Sequence, residues 1–187
     1  MKIKVLLFAL LACGFMTVNA QSPTFEKGDK VINLGIGFGG NRYNIYTSGV
    51  TKTPFLSASL DVGVLDGILD KGSVGIGGFA AYKGYSYESG YGYGFKETNI
   101  IVGARGTFHY PLIDKLDTYV GLLVGFNINT WKETGNWYGV DYSSGDGGFY
   151  SSGFIGGRYY FTDRFAVVME LGSGYLSLAN IGIAIKL

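Results

Sequence analysis

The stretch VINLGIGFGG, Val31 to Gly40, sets Gly35, Gly37 and Gly40 in G-x-G-x-x-G spacing directly after a run that reads as a β-strand. A second near-match, GIGGFA from Gly75 to Ala80, fits G-x-G-x-x-A. In a dinucleotide-binding fold such glycines work because a helix begins at once and aims its N-terminal N–H groups at a pyrophosphate. No helix follows here. After Gly40 the chain reads NRYNIYTSGVTKTP, without an apolar 3.6-residue repeat, and the second match runs into AYKGYSYESGYGYGF. With 32 glycines in the chain, chance matches are expected. The nucleotide reading lacks its structural context and is discarded.

The same stretch alternates with period two. Ile32, Leu34, Ile36 and Phe38 share one face, and Asn33, Gly35, Gly37 and Gly39 share the other. Seven further stretches repeat this pattern, at about 54–65, 73–86, 96–110, 116–131, 147–161, 165–173 and 177–187. Eight strands are expected and no helix. The connections near 66–72, 111–115 and 162–164 are short, with Asp-Gly, Pro and Thr-Asp turn chemistry. Those near 43–53, 87–95 and 132–146 are longer and rich in Gly, Ser, Tyr and Asn, while the one near 173–176 is short. An up-and-down meander with one smooth end follows.

Its polarity is inverted relative to a soluble sheet. One face of every strand is almost purely apolar; the other mixes Gly, Ser, Asn and Tyr with Asp61, Lys83, Arg105, Arg158 and Glu170. A ring of eight strands with its apolar face in lipid satisfies both faces, and closure pairs every backbone N–H and C=O where no water is available. The strands meet the roughly 9–11 residues that a tilted span needs. Tyr110, Tyr159, Phe161 and Phe165 at the short-turn side, and Tyr43, Tyr82, Trp131 and Tyr150 toward the loops, suit interfacial girdles. In so narrow a barrel, side chains fill the lumen. The inward glycines then make room for the few large residues beside them.

The chain opens MKIKVLLFALLACGFMTVNAQ: a basic start at Lys2 and Lys4, an apolar run from Val5 to Met16, and a small-residue site at Val18-Asn19-Ala20. A secretory signal over 1–20 is expected, followed by a short periplasmic lead over 21–29 and the barrel over 30–187. Leu10-Leu11-Ala12-Cys13 partly resembles a lipoprotein cleavage box. The short apolar run before it and the orthodox site after it weigh against lipidation at Cys13. Removal of the signal takes the only cysteine with it and lowers the basic residues from 15 to 13 against 14 acidic, a net charge of −1. No basic face for nucleic acid is implied. One histidine and no cysteine also leave no transition-metal cluster, and no cofactor is expected. Yet mean hydropathy is +0.21 and aromatics are 16 %, so something apolar must cover the exterior.

At this point the chain resembles the small outer-membrane β-barrels of the OmpA/OmpX type, over nearly all of its mature length. The resemblance is carried by the signal ending VNAQ, by GARGTFHYPL…KLDTYVGLLVGF, by RYYFTDRFAVVMELGSG and by the final ANIGIAIKL. Leu187 departs from the aromatic on which that family usually ends, although Ile183, Ile185 and Leu187 keep the alternation. The chain leaves no room for the periplasmic peptidoglycan-binding domain of the longer relatives. The resemblance implies an all-β, eight-stranded antiparallel up-and-down transmembrane barrel, a monomer in the bacterial outer membrane with both termini in the periplasm. Lipid and lipopolysaccharide would surround it.

By parity Arg105, Arg158 and Lys83 face Asp61 and Glu170 inside. A hairpin turning near Asp163 puts Arg158 and Glu170 within reach of each other. A structural plug is the preferred reading of these charges and a selective pore the other. His109, the sole histidine, faces Asp117 if the turn at Pro111 is tight, with no serine or cysteine expected nearby on that face. That leaves a structural role rather than a hydrolase, and the His-Ser motif of small barrel enzymes such as lipid A deacylases and palmitoyltransferases is not found. The segments SYESGYGYGFKE and TWKETGNWYGVDYSSGDGG carry Tyr87, Tyr91, Tyr93, Trp137, Tyr138 and Tyr142. This Tyr/Trp/Gly/Ser composition suits adaptable contacts to an extracellular protein or glycan, or solvated loops near lipopolysaccharide. The function expected is therefore non-enzymatic: membrane-structural or adhesion-like interaction. A narrow pore, a lipid-modifying enzyme and a soluble ligand-binding barrel are the alternatives.

Overall fold

The computed structural model describes residues 24–40, 49–88, 94–134, 142–172 and 176–187. The signal segment, Cys13, Tyr43, Tyr91, Tyr93, Trp137 and Tyr138 lie outside them. Nine strands are present among the described residues: β1 (Lys30–Phe38), β2 (Val50–Lys52), β3 (Phe55–Ile68), β4 (Gly72–Glu88), β5 (Gly94–Ile113), β6 (Leu116–Thr134), β7 (Tyr142–Tyr160), β8 (Phe165–Gly172) and β9 (Ala179–Lys186). Each barrel strand pairs antiparallel with its neighbours, and β1 pairs with both β3 and β9. Eight strands therefore close into a ring. The short β2 prolongs β3 along the outer part of β4. The two are interrupted at Thr53 and Pro54, where proline has no N–H to donate. There the Thr53 hydroxyl accepts the Gly84 N–H at 2.7 Å and repairs the ladder.

Burial follows the alternation. Leu34, Ile76, Leu122, Phe126 and Ile183 stand open on the outside, while Asn33, Asp61, Arg105 and Arg158 are buried within. The outward row of β5 is uncharged from Tyr110 to Ile100. That is a belt about 25 Å tall once strand tilt is allowed for. Trp131 and Tyr150 do not join the outer girdle. Both take inward positions, and Tyr150 is buried in the upper core cluster with Phe55, Leu123 and Leu176. In a sealed lumen those positions need bulk.

The expected long loops are shorter than their composition implies. Tyr87 pairs with Phe95, Glu133 with Tyr142 and Asn129 with Asp146, so the hairpins run on as paired strands beyond the belt. Gly and Ser lower strand propensity, but the cross-strand ladder that begins in the membrane carries them along. The opposite end turns tightly. Thr162 Oγ1 accepts the N–H groups of Arg164 at 3.3 Å and Phe165 at 3.0 Å, and Lys115 takes a left-handed φ of 65° between β5 and β6.

Candidate functional site

The glycines of the opening motif lie on the inner wall. A Cβ on Gly37 would stand 2.3 Å from Asn180 Oδ1 and 2.4 Å from Ser177 Oγ. One on Gly75 would stand 2.6 Å from Thr107 Oγ1 and 3.2 Å from the ring of Phe25. These are packing positions in a lumen filled by large side chains.

At mid-height the lumen holds an ion network. Arg105 Nη2 donates to Glu170 Oε1 at 2.7 Å, and its Nε lies 3.0 Å from Asp61 Oδ1. That second contact is an ion pair whose angle falls short of a hydrogen bond. Arg158 donates to Asp61 Oδ2, to Asp117 Oδ2 at 3.0 Å and to Asn33 Oδ1 at 2.9 Å. Tyr119 Oη donates to Glu170 at 2.7 Å, and the Arg158 guanidinium lies 4.7 Å from the Tyr119 ring centre. Arg105 sits 4.4 Å over Phe154. Every charge is thus paired, as burial demands.

Two expectations are corrected. Arg158 does not pair with Glu170: Gly156 is the residue opposite Glu170, and Arg158 turns to Asp61 and Asp117 instead. Parity assigns a face, but only closure of the ring decides which strand stands across the lumen. Lys83 lies apart from the carboxylates as well. Its ammonium is held by the carbonyls of Gly39 at 3.2 Å, Gly40 at 3.0 Å and Leu176 at 2.5 Å. Left-handed φ angles of 74° at Gly39 and 68° at Gly40 curl the end of β1 inward to present those oxygens, a conformation glycine adopts without steric cost.

The turn at Pro111 is tight, with Pro111 opposite Asp117. His109 Nδ1 bonds Asp117 Oδ1 at 2.8 Å and Nε2 bonds Thr107 Oγ1 at 2.8 Å. Ser73 stands directly opposite His109 in the β4–β5 register, contrary to the expectation that no serine falls near. Its hydroxyl is spent on the Phe25 carbonyl at 2.8 Å. Thr107, His109 and Asp117 have the bonding order of a nucleophile–base–acid relay, yet they are buried at 4 %, 1 % and 1 % exposure.

The seal is Phe25, which sequence reasoning missed. It stacks on His109 with ring centres 4.0 Å apart and belongs to the lower core cluster with Tyr119, Tyr160 and Val168. The lead that carries it is stitched to the wall. Gly28 N–H donates to Gly63 C=O and Gly63 N–H to Asp29 C=O, both at 2.9 Å. Lys186 Nζ pairs with Asp29 at 2.6 Å. One signal was available: Phe25 is the only large apolar residue between the expected cleavage site and β1. At the other end Leu176, fully buried, enters the lumen from the β8–β9 connection. Between the seals the cavity beside Arg105 and Glu170 is about 30 Å³, room for about one water.

Of the expected contact residues, Tyr142 is exposed at the start of β7. Tyr87 stacks on Phe95 at 5.8 Å, and Phe95 on Trp131 at 4.5 Å. This aromatic ladder borders a cleft of about 430 Å³ lined by Thr51, Ser86, Glu88 and Lys96.

A closed ring with an uncharged apolar belt on its exterior and a polar, packed interior is a transmembrane barrel of the outer-membrane type. Solved structures agree on the fold. The attachment invasion locus protein Ail of Yersinia pestis, in complex with the heparin analogue sucrose octasulfate, matches with a TM-score of 0.53 at 12 % identity, over 86 % of this chain and 95 % of Ail. The N-terminal β-barrel domain of Pseudomonas aeruginosa OprF matches at 0.50 and 12 %, over 86 % of this chain and 98 % of that one. Both are small outer-membrane barrels of the OmpA/OmpX-like type. No protein-family model and no curated protein matches the chain.

Proposed function

We propose that this protein is a non-enzymatic outer-membrane barrel that acts by surface interaction, offering its projecting hairpins to an extracellular protein or glycan. The observation that carries this reading is the continuation of β4 to β7 past the lipid belt as paired strands topped by Tyr87, Phe95 and Trp131. Stacked rings of this kind present rigid, amphipathic contact area at low entropic cost. The Ail complex with a heparin analogue supports a glycan as one class of partner. Lumen packing favours this role over conduction, since the cavity beside Arg105 holds only about 30 Å³, room for about one water. In the same reading residues 1–20 are removed as a signal, and residues 24–29 stay as the seal of the periplasmic end.

The test is binding of cells expressing the protein to immobilised glycans and matrix proteins, against cells expressing a Tyr87→Ser, Phe95→Ser, Tyr142→Ser variant. Binding should fall while the heat-dependent gel shift of a folded barrel persists. Equal binding by both would remove the reading. Regular conductance steps in planar bilayers would favour the pore, and altered lipid A in the expressing cells would favour an enzyme.

A further inference from the structure

Lys96 and Lys132 stand directly opposite each other in the β5–β6 ladder. Both are exposed, and like charges at such a pair destabilise a sheet unless something compensates them. Each is followed by an acid, Glu97 and Glu133, but strand alternation sends the acids to the other face. Glu97 is fully buried and accepts from Asn99 at 3.1 Å and from Asn129. Glu133 accepts from Trp131 Nε1 at 3.0 Å. Among the described residues neither lysine has an ion-pair or hydrogen-bond partner.

Their height on the barrel identifies what compensates them. Four residues below on each strand lie Ile100 and Ile128, the last apolar pair of the belt, and Thr98 opposite Thr130 comes between. The lysines therefore face outward roughly 10 Å above the last apolar pair once strand tilt is allowed for, at the height of the lipid headgroups. The row extends sideways in hydroxyls: Ser86 is the partner of Lys96 on β4, and Ser143 that of Lys132 on β7.

We propose that Lys96 and Lys132 form a binding site for the phosphate of an outer-leaflet glycolipid. Directly opposed strand residues bring the two side chains close enough for both ammoniums to donate to one phosphate dianion. Ser86 and Ser143 supply hydroxyls for the sugar to which it is attached. The occupant is a membrane lipid rather than a soluble anion because the row faces sideways over the acyl belt. This inference rests on the outer-membrane reading above.

The experiment is native mass spectrometry of the refolded protein in detergent with diphosphoryl lipid A, and with the same lipid A after phosphatase treatment. Wild type should retain the phosphorylated form at least about tenfold more than the dephosphorylated one. K96Q/K132Q should lose that preference and K96R/K132R should keep it. Equal retention of the two lipids, or an unchanged preference in K96Q/K132Q, overturns the site. A sulfated soluble glycan that competes the lipid away at equal concentration overturns the choice of a lipid. Heat-dependent gel mobility is read on the same samples. Its presence with failed lipid selectivity removes this site alone, and its absence in wild type removes the membrane reading as well.

Discussion

Arg158 on β7 and Asp61 on β3 are 97 residues apart in the chain and bonded across the lumen. The same guanidinium holds Asp117 and Asn33, so one side chain ties β7 to β1, β3 and β6. Arg158→Ala strips a counter-charge from two buried carboxylates and should cost about 3–5 kcal/mol. The measurement is the unfolding midpoint in detergent, followed by the gel shift of folded barrel to unfolded chain. An unchanged midpoint would show that these contacts do not hold the barrel together.

Asp117 and His109 should rank differently although they touch. Asp117 accepts from both Arg158 and His109, so Asp117→Ala leaves two buried donors without their acceptor. His109→Phe keeps a ring against Phe25 and loses hydrogen bonds worth about 1–3 kcal/mol. The first substitution should lower the midpoint more than the second. The reverse order would mean that ring stacking, not the ion network, governs this end.

Phe25→Ala empties the seal at the short-turn end and should cost about 3 kcal/mol. Gly75→Ala pushes a methyl against Phe25 and Thr107 and should cost about 1–3 kcal/mol. The two are coupled through one space, so Gly75→Ala should cost less when Phe25 is already alanine. Strict additivity of the two midpoint shifts would place the strain of Gly75→Ala on Thr107 alone.

Lys83→Met removes the cation that gathers the carbonyls of Gly39, Gly40 and Leu176. Those oxygens lose their donor, at about 1–3 kcal/mol locally. Hydrogen exchange should quicken at Leu178, whose N–H donates to Phe38 C=O at 2.9 Å, while amides of β5 and β6 stay protected. Uniform quickening throughout would show that the two ends of the barrel do not open separately.

What the sequence discloses here is a face, and what it conceals is an azimuth. Alternation at Ile32–Phe38 and its seven repeats suffices for strand number, the apolar exterior and the inward set Asp61, Arg105, Arg158 and Glu170. It cannot say that Arg158 meets β3 rather than its hairpin partner β8, because that depends on curvature accumulated around the ring. Lys83 escapes for a related reason: its partners are backbone oxygens, which carry no residue signature. Phe25 sits in a lead without periodicity, and the strand extensions at 94–97 and 142–146 have the composition of loops. Their pairing is inherited from the ladder below rather than encoded locally.

Pairing of β1 with β9 also has a kinetic meaning. The seam joins the earliest strand to the latest, with Leu187 N–H donating to Lys30 C=O at 2.9 Å, so the contacts that complete the barrel span nearly the whole folded length. Every incomplete barrel carries two raw edges of unpaired N–H and C=O groups, ready to capture a strand from any neighbouring chain. Such long-range closure is slow. The period of greatest risk for this molecule is therefore the interval before its last strand arrives, and whatever shelters β1 during that interval decides the yield of native barrel.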